Sequence, residues 1–422
     1  MKRLLVTLIG SLVLSMLGTG AVAAAPSPDD GPAGGASGPV TILPTPLFAL
    51  GEVDLSTLGV SPLELAAVGP AVVTANAGDG PNMFIVDDDG LQCPNAAFVT
   101  IQSAVAAAGP GDQIKVCAGL YPEQVRITKP GLTLFSEVPL AAVIQAPLVM
   151  TPPKSIVTVG ADDVTVRQFT IKGPYADVPQ CSAALQDRHT GVRIVSGSAT
   201  LLGNHITMIE DINPALGGCQ DGIAVQVGRR AEMQAGSAEI RNNLIDDYQK
   251  GGVVVDGPDS YAWVTQNVID GGGQTAVIAR NGVQVGRDAS ADVDHNIVRR
   301  NLFVRAASTD SASGILLFET AAHVSTDHND AEQNGIGIAV FEGAIGLLID
   351  HNDVHQSVNG GIAAFTGSAG NTISYNKATE NLPVDCYDET FGPGTAGTAN
   401  FWIKDMGDTQ SRPGLCKGAT TP

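Results

Sequence analysis

The chain has 422 residues, a formal net charge of −20, and 43 acidic residues against 23 basic ones. This balance disfavours nucleic acid and anionic membrane surfaces as partners, and disfavours a polyanionic glycan unless a metal ion bridges the charges. With 50 glycines, 5% aromatic residues and 16% charged residues, the composition is typical of a turn-rich β protein and argues against a helical one.

The first 23 residues have the three parts of a secretory signal peptide. Lys2 and Arg3 precede an apolar run over residues 4–17, and Ala21-Val22-Ala23 provides small residues for cleavage. This run is shorter than the ~20 residues that a membrane span needs, and no later stretch approaches that length. We therefore expect a secreted, extracellular protein that is cleaved near Ala23 and has no membrane span.

Residues 24–81 are rich in Pro, Gly, Ala and Ser, which predicts a disordered tether. A different pattern follows, with apolar residues at spacings of three and four that predict an amphipathic helix, namely Phe98, Ile101, Ala104, Val105 and Ala108. Gly109-Pro110-Gly111 would end this helix. Because an open end of a stacked β structure needs a cover, we assign residues 82–112 to an N-terminal cap.

One short sequence unit recurs from Ser313 to Asn376. Its glycines, Gly314, Gly337 and Gly361, are 23 and 24 residues apart (337 − 314 and 361 − 337), and alternating apolar residues follow each of them. This alternation indicates strands, and units this short must stack to share a core. Asparagines at one phase of the repeat, Asn329, Asn352 and Asn376, can form a ladder inside a turn. The pattern predicts a parallel β-helix with coils over residues 113–381.

Longer versions of the unit precede this stretch. Their strand starts and their asparagines are Gly191, Gly222, Gly252 and Gly282, and Asn204, Asn243, Asn267 and Asn296. Most of the additional residues lie just before the next strand, and insertions on one side of a solenoid commonly wall a binding face. Eleven of the 23 basic residues lie between Arg188 and Arg305, so we expect these coils to carry the positive charge.

Six cysteines in an exported chain predict three disulfides, whose connectivity the sequence alone leaves open. Stacked coils favour the nearest neighbours, Cys93–Cys117, Cys181–Cys219 and Cys386–Cys416. A thiolate metal site is the alternative, and the lack of CxxC spacing argues against it. Residues 382–416 break the repeat and predict a disulfide-pinned C-terminal cap, followed by a tail over 417–422. A sugar-stacking platform of Tyr387, Phe401 and Trp402 is an alternative interpretation of the cap.

Strand alternation predicts a column of candidate catalytic residues. With Val192, Ile223, Val253 and Val283 pointing inward, the residues just ahead of the strands are His189, Asp221, Lys250 and Arg280. Neighbouring strands are ~4.8 Å apart, so these side chains would become neighbours. Lys250 or Arg280 could take a sugar C5 proton, and Asp221 could protonate the leaving oxygen or hold a cation. Cross-coil salt bridges on a solvated face are the alternative.

The outward positions of the same strands are candidate substrate-binding residues. Arg193 and Gln284 share one phase, and Gln226 and Asp256 fall two residues further along their strands. Glycoside hydrolysis would need two carboxylates at a defined separation, and Asp221 with Asp256 is the facing pair that the pattern offers.

The triplet Asp-His-Asn occurs at residues 294–296, 327–329 and 350–352. Stacked coils would align His295, His328 and His351, with carboxylates beside them and Tyr375 after them. Such a column could ligate zinc or copper. Exposed residues that flank the asparagine ladder are the alternative interpretation.

Residues 98–136 contain the predicted helix, then Pro110-Gly-Asp-Gln-Ile-Lys-Val-Cys-Ala-Gly-Leu-Tyr-Pro-Glu-Gln-Val and Lys129-Pro-Gly-Leu-Thr-Leu. This segment resembles the opening of pectin-lyase-like right-handed parallel β-helix proteins, and the likeness extends over about residues 83–416. The resemblance implies an all-β, right-handed parallel β-helix solenoid with an N-terminal capping helix. The C-terminal segment resembles secreted actinobacterial members. This architecture hosts lyases, hydrolases, esterases, epimerases, adhesins and carriers, so the resemblance implies little about activity.

We therefore predict a secreted β-helix protein that binds an extracellular polysaccharide on its central coils, and that would cleave it as a lyase or hydrolase if it is an enzyme. The alternatives are a non-catalytic surface or matrix protein that binds a glycan or host partner, and an exported metal carrier. The sharper motifs of known polysaccharide-active families are missing, so the sequence leaves catalysis open. We expect a monomer that requires no cofactor, with Ca²⁺ as a compatible ion.

Overall fold

The computed structural model describes residues 81–176, 181, 188–305 and 311–418. The predicted signal peptide, residues 24–80 of the predicted tether and the last four residues of the tail lie outside these ranges.

The described chain winds in coils that each contribute a first, a second and a third strand. First strands are Val125–Ile127, Ile223–Val227, Gly251–Asp256, Asn281–Gly286, Ser313–Phe318, Ile336–Val340, Gly360–Ala364 and Cys386–Asp388. Second strands are Met83–Val86, Gln113–Val116, Thr133–Ser136, Ser237–Arg241, Tyr261–Thr265, Ser290–Asp294, Val324–Asp327, Leu348–Asp350, Thr372–Ser374 and Phe401–Ile403. Two long strands, Ser155–Arg167 and Thr190–Leu202, run through the first and second positions.

Third strands complete the coils and form a sheet of their own with 11 strands. They are Gly119–Pro122, Ala142–Gln145, Thr170–Lys172, His205–Thr207, Leu244–Asp246, Val268–Thr275, Ile297–Phe303, Asp330–Glu332, Asp353–His355, Lys377–Thr379 and Met406–Gly407. The first and second strands form a 20-stranded sheet, since the two long strands connect their positions. The strand pairs within both sheets are parallel, which confirms the predicted parallel β-helix.

The core runs along the axis of the coils because β-branched apolar residues recur at one inward position. Val192, Val225, Val253, Val283 and Ile315 are neighbours in the register of the first strands, and each is fully buried. The repeat of β-branched residues thus supplies one continuous apolar stack that no single coil could form.

The register of one coil differs from the sequence prediction. Ile223 pairs with Thr190 and Gly251, so Val225, and not Ile223, is the inward partner of Val192. Gly222 adopts a left-handed φ of +76° ahead of the strand, and the coil is shifted by two residues relative to an alignment on glycines. A shift of two keeps each side chain on its own face, because strand side chains alternate with period two.

An asparagine ladder holds the turn between the second and third strands. The ladder runs through Asn204, Asn243, Asn267, Asn296, Asn329, Asn352 and Asn376. From Asn243 onward, the Oδ1 atom of each asparagine accepts from the backbone N–H of the asparagine one coil earlier, at 2.9–3.1 Å. Each of these asparagines is nearly or fully buried. The ladder therefore satisfies turn amides that would otherwise be buried without a partner.

The N-terminal cap contains one α-helix, Ile101–Ala107, which starts where the Thr100 side chain accepts from Ser103 N–H. Ile101, Ala104 and Val105 are its buried residues. Phe98 precedes the helix, and its carbonyl accepts from Asp87 N–H at 2.9 Å.

The C-terminal cap buries its tryptophan. Trp402 is 4% exposed, and its indole N–H donates to Asp388 Oδ2 at 2.9 Å, whereas Phe401 is 43% exposed. Tyr387 is 8% exposed, so these three aromatic residues do not form an open stacking platform. Disulfides join Cys93–Cys117, Cys181–Cys219 and Cys386–Cys416, the pairings expected from the sequence.

Asp405 replaces asparagine at the C-terminal end of the ladder, where its Oδ1 accepts from Asn376 N–H and Nδ2. Burial raises the pKa of Asp405 from its ordinary 3.8 to about 7. The unfolded chain therefore loses this proton at lower pH than the folded chain, and the associated stability falls as pH rises between about 4 and 7. We expect Asp405→Asn to reduce this fall by about 2–4 kcal/mol in denaturant titrations at pH 5 and pH 8. Equal pH dependence in both proteins would contradict this expectation.

Candidate functional site

A buried arginine is the centre of the candidate site, on the outer side of the first strands. Arg193 is 0% exposed, because the turn over residues 228–236 folds back across it. Its Nη2 atom lies 2.6 Å from Glu232 Oε2 and donates to Gln234 Oε1 at 2.8 Å. Gly228, with φ +63°, starts this turn, and an added Cβ there would lie 1.9 Å from Ser260 Oγ. A side chain at residue 228 would therefore clash at the start of the turn that covers Arg193.

Three further arginines, Arg188, Arg229 and Arg287, lie around Arg193. We call the surface formed by these four residues the arginine face. Arg229 Nη1 lies 3.2 Å from Glu232 Oε1, and Arg287 Nη1 lies 3.1 Å from Asp256 Oδ2. Burial, and next the charge of Arg193, lowers the pKa of Arg229 to about 10. Burial also lowers the pKa of Arg188, which Asp221 partly offsets. The arginine face thus holds several incompletely hydrated cations close together.

The predicted substrate-binding residues lie on this face. The register aligns Arg193, Gln226, Val254 and Gln284 in one column, with Asp256 two residues after Val254. Gln226 is 2% exposed and donates from Nε2 to Gly228 O at 2.7 Å, so the turn covers it together with Arg193. Gln284, which accepts from Asn281 Nδ2 at 3.1 Å, is half-buried. The structure therefore brings the four residues to one face, although three of them, Arg193, Gln226 and Asp256, are buried.

A groove of about 260 Å³ opens on the same face, one coil before Arg193. Arg126, Thr158 and Arg193 are consecutive in one column, and Gln234 closes the groove beside Arg193. Its lining consists of Arg126, Ile127, Thr128, Pro153, Thr158, Gly160, Val195 and Gln234. Thr158 Oγ1 and two nitrogens of Arg193, Nε and Nη1, have no hydrogen-bond partner among the described residues. Buried polar groups in this state are expected to take a ligand or a water molecule.

The predicted catalytic residues separate into two groups. His189 Nδ1 lies 3.0 Å from Asp221 Oδ2, and Asp221 Oδ1 accepts from the His189 N–H. His189 is fully buried and stacks on Tyr175, with ring centroids 4.1 Å apart. The register puts Gly222, and not Asp221, level with His189 and Lys250, and the Asp221 side chain reaches His189 from one residue earlier.

Lys250 and Arg280 form the second group, and both donate to backbone carbonyls. Lys250 Nζ donates to Ala279 O at 2.7 Å, and Arg280 Nη1 donates to Gly271 O. Burial lowers the pKa of Arg280, and nearby carboxylates, Glu210 and Asp247 among them, partly offset this lowering. Burial raises the pKa of Glu210, with a further contribution from Asp247. Burial likewise raises the pKa of Asp247. This acidic cluster around Arg280 was not predicted from the sequence.

The three histidines form the predicted column. The rings of His295, His328 and His351 are parallel within 3°, and their centroids are 5.0 and 5.1 Å apart. Tyr375 continues the stack at 5.0 Å. The Nδ1 atom of each histidine bonds the preceding aspartate. Tetrahedral zinc needs donor atoms about 3.3 Å apart, so parallel rings at this spacing do not converge on one ion.

Sequence reasoning missed the residues that complete the arginine face. Arg229, Glu232 and Gln234 belong to a turn after a first strand, whereas the pattern had directed attention to insertions before first strands. A signal was present, because Gly228-Arg229-Arg230-Ala231-Glu232 interrupts the repeat with adjacent cations and a carboxylate. Arg126 and Thr158 lie in coils that precede the recognisable glycine repeat.

Comparisons with known proteins agree with this architecture. The family described as "Right handed beta helix region" matches residues 184–378. This match and the stacked parallel strands agree on a right-handed parallel β-helix fold. The chain's likeness to actinobacterial members stays a prediction.

Solved structures with similar coordinates include three polysaccharide-active proteins. An alginate lyase from Paenibacillus sp. is 15% identical, with 68% of this chain and 94% of that chain covered and a TM-score of 0.49. The pectate lyase Pel9A is 13% identical, with 82% and 79% covered and a TM-score of 0.46. A mannuronan C-5 epimerase A-module from Azotobacter vinelandii is 14% identical, with 74% and 82% covered and a TM-score of 0.41. At these values the likeness assigns no activity or catalytic residue to this chain.

No curated protein sequence matches the chain. Within the described ranges, none of the helices has the length and apolar character of a membrane span.

Glu232 should be the stabilising counter-ion of the arginine face. We expect Glu232→Gln to lower the free energy of unfolding by about 3 kcal/mol, because Arg193 would remain buried without its carboxylate. Asp353→Asn is the matched control, since Asp353 pairs with Lys377 at 2.9 Å and both side chains are about half exposed. This control should lose less than about 1 kcal/mol. Equal losses for the two variants, measured by denaturant unfolding at pH 7, would refute the assigned role of Glu232.

Proposed function

We propose that this protein binds an extracellular polysaccharide with acidic sugar residues along the arginine face, with the groove beside Arg193 as one subsite. The observation that carries this proposal is the groove itself. It is lined by a guanidinium group, a hydroxyl and an amide, and it adjoins a cluster of buried arginines. At about 260 Å³ it is close to the lower end of the ~300–1,000 Å³ range of small-molecule pockets.

The lining suits a sugar that carries a carboxylate. Arg126 presents planar N–H donors, of which Nη2 is used by Thr151 and Pro152 carbonyls at 3.2 and 2.7 Å. Guanidinium groups recognise carboxylates better than ammonium groups do, because their donors form a rigid fork. Thr158 and Gln234 add polar side chains to the lining, while Val195 and Pro153 offer apolar surface. A local excess of arginine also explains how a chain of net charge −20 could bind an acidic glycan.

An extracellular location is part of the proposal. Three disulfides support it, since such bonds persist in oxidising compartments. The predicted signal peptide at residues 1–23 gives independent support from the sequence.

Binding is favoured over cleavage because the predicted catalytic groups are engaged. His189 and Asp221 bond each other in a buried pair, and Lys250 Nζ bonds a backbone carbonyl. Cleavage is the second candidate, and the cluster of Glu210, Asp247 and Arg280 favours it. A carboxyl group with a raised pKa can act as a general acid, and both carboxyl groups have this shift.

Arg126→Ala tests the binding proposal. We expect its affinity for polygalacturonate or alginate to fall at least about tenfold in isothermal titration calorimetry, which is a loss of ~1.4 kcal/mol. Arg241→Ala is the control, because Arg241 lies on the second strands with a side chain 37% exposed. This control should bind like the unmodified protein, and neutral glucans should bind more weakly to all three proteins.

The outcome that would overturn the proposal is the absence of acidic-glycan binding at millimolar concentrations, or equal losses in both variants. The same glycans are assayed for ultraviolet-absorbing unsaturated ends and for new reducing ends. If either product appears, the activities of Glu210→Gln and Lys250→Ala show whether Glu210 or Lys250 is the acid–base group. If neither appears while binding persists, the protein is a glycan-binding module.

A further inference from the structure

A buried cluster of potential metal ligands lies where the chain enters two successive first strands. His189, Asp211 and Asp221 each offer one ligand atom, and the three atoms lie within 4.8 Å of one another. They come from three separate turn segments. His189 is 0% exposed, Asp221 is 4% exposed, and Asp211 is half-buried.

We propose that this cluster is a binding site for one divalent transition-metal ion, of the zinc or manganese type. The proposal does not rest on the glycan-binding function, since the groove shares no residue with the cluster and only Arg188 of the arginine face lies near it.

The donor geometry is close to that of a metal centre. His189 Nδ1 and Asp221 Oδ2 are 3.0 Å apart, and donor atoms around a tetrahedral ion with bonds of ~2.0–2.2 Å are about 3.3 Å apart. An ion would replace the proton that these two atoms share. The third donor needs to move by at most about 1.5 Å, since no separation exceeds 4.8 Å.

The ligands are held in place by their surroundings. The other oxygen of Asp221, Oδ1, accepts from the backbone N–H groups of His189 and Gly222, which fixes the carboxylate. Tyr175 stacks on the His189 ring at a centroid distance of 4.1 Å, and it also forms a parallel bridge with Asp211. Such contacts orient metal ligands before the ion arrives.

The Cys181–Cys219 disulfide joins the segments that precede two of the ligands. Its Cα atoms are 5.3 Å apart, and Cys219 lies two residues before Asp221. The segments that carry His189 and Asp221 are therefore linked covalently before any ion binds, which lowers the entropy cost of forming the site.

Charge favours a cation at this point. Two carboxylates with clustered oxygens repel each other in a poorly hydrated environment unless positive charge lies between them. Arg188 supplies one positive charge near Asp221. A divalent ion bound by both carboxylates would offset this repulsion.

The donor set selects the class of metal. Calcium and magnesium take oxygen ligands almost exclusively, whereas zinc, manganese and cobalt accept an imidazole nitrogen together with carboxylates. The column of His295, His328 and His351 offers more nitrogens, yet its parallel rings present them to separate points in the solvent. A metal ion should thus prefer His189.

The test uses the full protein, stripped with a chelator and titrated with Co²⁺ and Zn²⁺. We expect one equivalent of Co²⁺ to bind with d–d absorption bands of a nitrogen–oxygen site, and one equivalent of Zn²⁺ to displace it. Asp211→Asn should weaken binding at least about tenfold. Asp330→Asn is the matched control, because Asp330 bonds His355 at 3.0 Å in a pair outside the cluster.

The titration of the unmodified protein tests the proposal without any variant. The proposal therefore stays testable even if a variant fails to fold. Absence of stoichiometric Co²⁺ and Zn²⁺ binding at micromolar concentrations would overturn it. Equal binding by Asp211→Asn and Asp330→Asn would overturn it as well. So would loss of binding in His328→Ala with binding retained in Asp211→Asn, since the ion would then lie at the histidine column.

Discussion

The fold depends on one recurring hydrogen bond, in which a buried asparagine side chain accepts from the backbone of the coil before it. Each such bond contributes about 1 kcal/mol, but an unsatisfied amide at the same place would cost about 1–3 kcal/mol. The bond also fixes the position of one coil relative to the next, because Asn296 Oδ1 reaches the Asn267 N–H only when the two coils are in register. Register, in turn, decides which distant residues become neighbours.

Register is what brings the lining of the groove next to Arg193 of the arginine face. Arg126, Thr158, Arg193 and Gln226 are separated by about thirty residues each along the chain, yet they are consecutive in one column. Burying Arg193 and Arg229 is costly, and the turn that carries Glu232 supplies the compensating charge. Structural demands alone would be met by apolar residues at these positions, as Leu316 and Ala339 show in later coils of the same column. This difference supports the proposed role of the cations in glycan binding.

The architecture could be predicted from the sequence because local residue patterns define the repeat. Alternation of apolar residues identifies strands, and the periodic asparagines identify the turn, so Asn329, Asn352 and Asn376 could be assigned before any coordinate was known. The candidate site was less predictable. A two-residue shift at Gly222 moved Gln226 beside Arg193, and the turn over residues 228–236 buried both. Tertiary contacts set these features, and a pattern within one strand does not encode them.

Native-state hydrogen exchange of Asn296→Ala tests the stacking account most directly. The account predicts faster exchange of the Asn267 amide, which donates to Asn296 Oδ1 at 3.0 Å. It also predicts that the amide of residue 296 keeps its protection, since this amide donates onward to Asn329 Oδ1 at 3.1 Å. Unchanged exchange at residue 267, or loss of protection only at residue 296 and beyond, would contradict the direction and the register of the ladder.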